Sequence, residues 1–265
     1  MHGGKHWGQH EGRLASLLGA RPLGLATDLD GTLSELASDG PRISPALRGA
    51  IAALAERCAV VALISGRPVA AVQAVIDLPG LEVFGIHGFE RLAGGAATLV
   101  PGAVRWQEAI ERATGELRVL VERCGAAMQT KGITVVVDWR CCPDPGVVPA
   151  LASSVMAVAA AHGLAVLHAR RSLEVHPPID VDKGTCLTVL AQERGLGGLL
   201  YLGDDHSDIS AFRALRRMRE AGRLDGLALG VVSAEMPDGL VEAADLLLDG
   251  VADVERFFAW LHEHA

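Results

Sequence analysis

The residues with the most chemistry to offer stand where short apolar runs end. The stretch "LGLATDLDGTL" closes such a run with Asp28, one spacer and Asp30, then Gly31 and Thr32. Further on, "VVALISGRP" ends in Ser65, Gly66 and Arg67, and "GLLYLGDDHSD" in Asp204, Asp205 and Asp208. Between them, "DVDKG" places Lys183 before a glycine. One carboxylate after an apolar run can simply cap a helix. Five of them, with a hydroxyl and a lysine, point to chemistry in one crevice. That many anions require a cation, and a hard, oxygen-seeking dication such as Mg2+ suits an all-oxygen donor set. What suits carboxylates with a dication, a serine hydroxyl, a lysine and the free N–H groups of a helix start is phosphate. A carboxylate with an ordinary pKa of about 4 is already an anionic nucleophile at neutral pH. It can attack phosphorus once cations screen its repulsion from the phosphate oxygens.

Such residues converge only on a scaffold that gathers strand ends. Short apolar runs alternate with helical patterns, which predicts an α/β fold with a parallel sheet flanked by helices. In open sheets of this kind ligands bind outside the carboxyl ends of the strands. Strands are expected at 23–27, 60–65, 82–88, 198–203, 226–231 and 244–249. A helix over 44–58 opens with Ser44 as N-cap and Pro45 in its first turn, and another covers 68–76. From Ala103 to Arg171 the pattern becomes long helix, strand "ITVVVDW", long helix, strand "LAVLHA". The reading is a discontinuous core, residues 1–102 and 172–265, with an inserted α+β cap domain over 103–171.

Composition narrows the partners. The 265 residues are 50% hydrophobic with a net charge of −8, so the chain offers no broad basic surface for nucleic acid. The densest basic cluster, Arg213, Arg216, Arg217 and Arg219, reads as a solvated helix face. Five cysteines without framework spacing suggest reduced, mostly buried thiols in a cytoplasmic protein. The opening "MHGGKHWGQHEGR" has no apolar core and reads as a flexible tail; its glycines argue against aligning His2, His6 and His10 on a metal. The stretch 145–169 lacks Asp, Glu, Lys and Arg, but Pro149, His162 and Gly163 punctuate it, so a buried helix and a strand explain it better than a membrane span. The expectation is a monomer with a small-molecule substrate and no membrane partner.

"DLDGT", "ISGR", "DKG" and "GDDHSD", in this order and at strand ends, resemble the four motifs of the haloacid dehalogenase-like phosphatases, which implies a Rossmann-like core. By that resemblance Asp28 is the nucleophile that becomes an aspartyl-phosphate. Asp30 protonates the leaving oxygen and then activates water. Ser65 and Lys183 hold the phosphoryl group, and Asp204 binds Mg2+ with Asp28 and the Asp30 carbonyl. Asp205 and Asp208 are metal ligands or support them. An insert between the Ser65 and Lys183 motifs is similar to that of the sugar-phosphatase branch. Within it, "ISGRP", "GIHGFE", "MQTKGITVVVDWR" and "LEVHPPIDVDKG" resemble the trehalose-6-phosphate phosphatase family. Substrate contacts implied in this way are Gly66, Arg67, His87, Glu90, Gln129, Lys131, Arg140 and Glu174.

The chain departs from that family's pattern at Gln129, where the family has Glu, and at Asp138, where it has His. Trp139, His176 and Ile209 stand for Tyr, Arg and Glu. A related sugar or pseudo-sugar phosphate is therefore an alternative substrate, and a catalytically silent sugar-phosphate sensor an alternative function. The structural readings are plainer: Asp28 and Asp30 as a turn, Ser65 as a helix cap, Lys183 as a surface lysine, and Lys131, Arg140 and Glu174 as an ion-paired surface.

Overall fold

The chain folds as two units, Met1–Thr98 with Val181–Ala265, and Leu99–Asp180; the computed structural model describes residues 4–36, 40–169, 171–234 and 236–265. The first unit begins with α1 (Glu11–Leu18), β1 (Leu23–Thr27), α2 (Pro45–Arg57), β2 (Val60–Ile64) and α3 (Val69–Val75). It continues with β3 (Leu81–Gly85) and the hairpin β4 (Glu90–Ala93) and β5 (Ala96–Leu99). The second unit carries α4 (Gln107–Cys124), β6 (Ala127–Thr130), β7 (Val135–Asp138), α5 (Val148–Ala161), β8 (Ala165–Ala169) and β9 (Ser172–His176). The first then resumes with α6 (Lys183–Glu193), β10 (Gly198–Gly203), α7 (His206–Glu220), β11 (Asp225–Val231), α8 (Leu240–Ala243), β12 (Leu246–Leu248) and α9 (Val251–His264).

The first unit's sheet has the order β12-β11-β10-β1-β2-β3-β4-β5. It is parallel from β12 to β3, and β4 runs antiparallel to β3. Every residue of β1, β2, β3 and β10 is buried, as strands covered on both faces must be. Alternation assigns the faces. Leu25 and Leu63 pack with Leu14, Ile51 and Phe257 from α1, α2 and α9, while Ala26 and Ala62 pack with Leu187 and Phe212 from α6 and α7. Ser44 caps α2, accepting the Leu47 N–H at 3.2 Å.

Several expectations change here. The strand expected over 82–88 stops at Gly85, because Ile86 and His87 take left-handed backbone (φ 49° and 55°) that no ladder accommodates. The β4–β5 hairpin falls where no strand is expected, since its residues lack strong alternation. The N-terminal segment is no flexible tail from Gly4 onward. The Lys5 ammonium donates to the Val241 and Ala244 carbonyls at 2.8 and 2.9 Å. Trp7 is buried against Phe257, and its Nε1 donates to Asp253 Oδ1 at 3.0 Å. His6 reaches Asp253 Oδ2 at 3.0 Å, whereas His2 lies outside the described residues. Only Cys186 of the five free thiols is buried; Cys141 is exposed and the rest are intermediate. Of the α7 arginines, Arg213 and Arg217 are exposed, but Arg219 pairs with Asp245 at 2.9 and 3.0 Å and Arg216 donates to the Ala243 carbonyl. No helix among the described residues is long and apolar enough to cross a membrane.

The second unit is an antiparallel sheet, β6-β7-β9-β8, with α4 against β6 and β7 and α5 against β8 and β9. Val135, Val137, Leu173 and Val175 are its buried row. Because β9 pairs with both β7 and β8, it belongs with them in the second unit, which spans Leu99–Asp180. The stretch 145–169 resolves into a turn, α5 and β8.

Candidate active site

Three neighbouring strands end level with one another. Thr27 pairs with Leu202 on one side and Leu63 on the other. Asp28 therefore follows β1 where Ser65 follows β2 and Asp204 follows β10. All three side chains are buried. Lys183 joins them from the first position of α6, a start fixed by Asp182. The Asp182 carboxylate accepts the Thr185 N–H at 2.7 Å, and Thr185 Oγ1 accepts the Asp182 N–H at 2.8 Å. Gly184 lets α6 approach α7, since a Cβ there would stand 2.6 Å from the Ser210 carbonyl oxygen. That approach brings Lys183 Nζ to 2.7 Å from Asp208 Oδ1 on α7 and 3.1 Å from Asp28 Oδ1.

Asp208 organises the cluster. Its Oδ1 accepts from Lys183 and from the Tyr201 hydroxyl at 2.6 Å. Its Oδ2 accepts the N–H groups of Asp204 and Asp205 at 3.1 and 2.9 Å. Those four donors occupy the carboxylate's acceptor directions, so Asp208 holds the ammonium and the turn in place. Asp205 is exposed at the start of α7, as is His206 beside it. Thr32 Oγ1 donates to Asp204 Oδ1 at 2.8 Å. Gly31, at φ 81°, passes so close that a Cβ would lie 2.1 Å from Asp204 Oδ2.

The electrostatics are unbalanced. Asp28, Asp204 and Asp208 each offer an oxygen, all within 4.8 Å of one another, against the one buried ammonium of Lys183. The ordinary carboxylate expected from the sequence is not what the fold gives: burial pushes the Asp28 carboxyl well above its ordinary value, and Asp208 and Asp204 reinforce this while Lys183 opposes it. Burial, with Asp208, pushes Asp204 up to about 7, against the Thr32 hydrogen bond and Lys183. Burial works against the Lys183 charge, yet Asp208 and Asp28 hold its pKa above the usual lysine value. One cation among three carboxylates leaves a deficit that a divalent ion bound by oxygen would fill. The donors that fit are the carboxylates of Asp28 and Asp204.

Asp30 is turned to Arg67. Nε and Nη2 of the guanidinium donate to its two oxygens at 2.6 and 2.8 Å. Ser65 Oγ accepts the Arg67 N–H at 3.2 Å. Gly66 lies between them in the turn that leads to α3, and His87 follows β3 with its left-handed backbone. The Glu90 carboxylate accepts the Val69 N–H at 2.7 Å, at the beginning of α3.

In the second unit, Gln129, Val136, Glu174 and Leu167 form one cross-strand row. Gln129 is exposed, while Glu174 is buried and accepts from Thr134 Oγ1 at 2.6 Å with Lys131 Nζ 3.4 Å away. Asp138 accepts the Arg140 N–H at 2.8 Å and its Nε at 2.7 Å, which folds the arginine back on its own strand end. Tyr201 and Thr32 are not among the residues expected to do chemistry, yet both bind the acidic cluster. Tyr201 was findable as the chain's single tyrosine, set in the aliphatic run "GLLYLG".

A profile of the trehalose-phosphatase family matches residues 26–234. A trehalose-phosphate phosphatase of Mycobacterium ulcerans is 35% identical over 197 residues, 71% of this chain and 50% of that protein. An uncharacterized glycosyl hydrolase of Mycobacterium tuberculosis is 33% identical over 216 residues, 77% of this chain and 16% of its own length. The chain thus spans about half the length of the trehalose-phosphate phosphatases it matches. Among solved structures, a trehalose-6-phosphate phosphatase related protein superposes with a TM-score of 0.75 at 19% identity, covering 91% of this chain and 97% of that one. The Aspergillus fumigatus trehalose-6-phosphate phosphatase does so at 0.69 and 24%, covering 96% and 97%. These two likenesses bear on the fold. With the profile spanning most of its length, the chain belongs to the trehalose-phosphatase family.

Proposed function

We propose that the protein is a Mg2+-dependent phosphatase that converts trehalose 6-phosphate and water to trehalose and phosphate through a phospho-Asp28 intermediate. The observation that carries this is the buried Asp28 carboxylate at the end of the central strand, 3.1 Å from the Lys183 ammonium and beside Asp204. Family membership supports the sugar class. Asp28 attacks phosphorus; the Asp28 O–P bond forms while the P–O bond to the sugar breaks, and Asp30, in its acid form, gives its proton to the departing oxygen. Asp30 then takes a proton from a water whose oxygen attacks phosphorus. The bond to Asp28 breaks, phosphate leaves and both carboxyl groups return to their starting forms. Mg2+, held by Asp28, Asp204 and the Asp30 carbonyl, would neutralise charge on the phosphoryl oxygens. Ser65 and Lys183 orient that group, and Lys183 also screens the approach of one anion to another.

Lys131 and Glu174 serve the sugar hydroxyls in this reading. Two observations favour a related sugar phosphate as the alternative: Gln129 is a neutral amide, and Asp138 engages the Arg140 fork. We place the protein in the cytoplasm as a monomer, a setting its five unpaired thiols suit. The test is phosphate release from a panel of sugar phosphates with Mg2+ and with a chelator. Mg2+-dependent release strongest for trehalose 6-phosphate supports the proposal, and preference for another sugar supports the alternative. Binding without release would replace both with a sensor.

A further inference from the structure

The Asp30 carboxylate does not stand free beside Asp28. The Arg67 guanidinium meets it side-on, Nε to Oδ2 at 2.6 Å and Nη2 to Oδ1 at 2.8 Å. This is the strong, planar form of the pair, in which the fork of the arginine sets the plane of the carboxylate. Arg67 is itself anchored at its backbone. Its N–H donates to Ser65 Oγ at 3.2 Å, and its carbonyl accepts the Ile86 N–H at 2.8 Å. Ile86 is held at φ 49°, a conformation a β-branched side chain adopts only when its surroundings enforce it. The His87 N–H donates to the Ser65 carbonyl at 2.9 Å, so two consecutive left-handed residues clamp the turn that presents Arg67.

We propose that Arg67 is the positioning residue for Asp30. It sets the plane and reach of the carboxyl group that serves the leaving oxygen, and it does so from the β2 turn across to the end of β1. The role rests on the phosphatase reading above. In its acid form Asp30 keeps one of its two bonds to Arg67, which holds the group in register while the other oxygen carries the proton. Lysine at this position keeps the charge but has no fork.

The consequence is a split between substrates. An alkyl sugar phosphate needs a proton on its departing oxygen, whereas p-nitrophenyl phosphate expels a stable phenolate without one. Rates on trehalose 6-phosphate, or the best sugar phosphate of the panel, are compared with rates on p-nitrophenyl phosphate. The comparison covers the wild type, Arg67→Lys, Arg67→Met, Asp30→Asn and the Asp30→Asn/Arg67→Met double variant, with circular dichroism to report folding. Arg67→Met should lower kcat/KM, which ends at the departure of the leaving group and leaves out the hydrolysis of phospho-Asp28 common to both esters, by about 100-fold more on the sugar ester than on the aryl ester. Arg67→Lys, the variant more certain to fold, should show the same split, and the double variant should add nothing to Asp30→Asn. Equal falls in kcat/KM on the two esters, or independent additive falls, would overturn the role while leaving the phosphatase reading intact. A wild type that hydrolyses neither ester would overturn both.

Discussion

Buried carboxylates that outnumber their cation should make the metal-free protein less stable as the pH rises, and Asp204 allows the effect to be sized. Its carboxyl is held at about 7 in the folded chain against an ordinary 3.8. Between those values the folded state binds a proton that the unfolded state has released, so stability falls with increasing pH. The contribution is complete below the unfolded value and is lost as the pH passes through about 7. The full displacement corresponds to about 4 kcal/mol, of which about 3 kcal/mol is lost between about pH 5 and about pH 8. Asp28, raised in the same direction, adds to the trend. For a chain of this length that is a drop in Tm of about 6–12 °C. The assay is thermal unfolding in chelator across that range, with Asp204→Asn alongside. Asparagine can still accept from Thr32 but has no proton to lose, so the variant should show a much flatter profile and be more stable than the wild type at the alkaline end. Mg2+ should restore the wild type there, where Asp204 is ionised, and leave the variant nearly unmoved. A metal-free wild type whose stability is level or rises with pH, with Asp204→Asn tracking it, would refute the reasoning.

Asp28→Asn is nearly isosteric yet cannot attack phosphorus, so turnover should fall by about a thousandfold or more with the circular dichroism unchanged; near-normal phosphate release would remove Asp28 as nucleophile. Trp7→Ala should destabilise the first unit by about 3–5 kcal/mol, because it empties the site against Phe257 and leaves a donor of Asp253 missing. Urea unfolding measures it, and a loss within about 0.5 kcal/mol would mean that the N-terminal segment contributes nothing to the core.

The α/β architecture, the level of the motifs in it and the acidic character of the site were legible along the chain. Those are local properties: a short apolar run bounded by turn residues reads as a covered strand, and a polar residue just beyond it lies at the strand's end. The same logic located α2 from Ser44 and Pro45. The division of labour among the carboxylates was not legible, since spacing alone treats Asp204, Asp205 and Asp208 alike. Only the packing of α6 on α7 through Gly184 gives Asp208 to Lys183 and Tyr201, and leaves Asp205 exposed. Nor could composition reveal that Trp7 and His6 converge on Asp253, a contact between residues almost a chain length apart. The β4–β5 hairpin lacks alternation and is marked only by its Gly94-Gly95 turn, and the extent of the second unit to Asp180 follows from the pairing of β9 with β7 and β8. Strand partners, donor counts and the reach of Arg67 to Asp30 are set by which distant segments meet, and tertiary structure alone decides that.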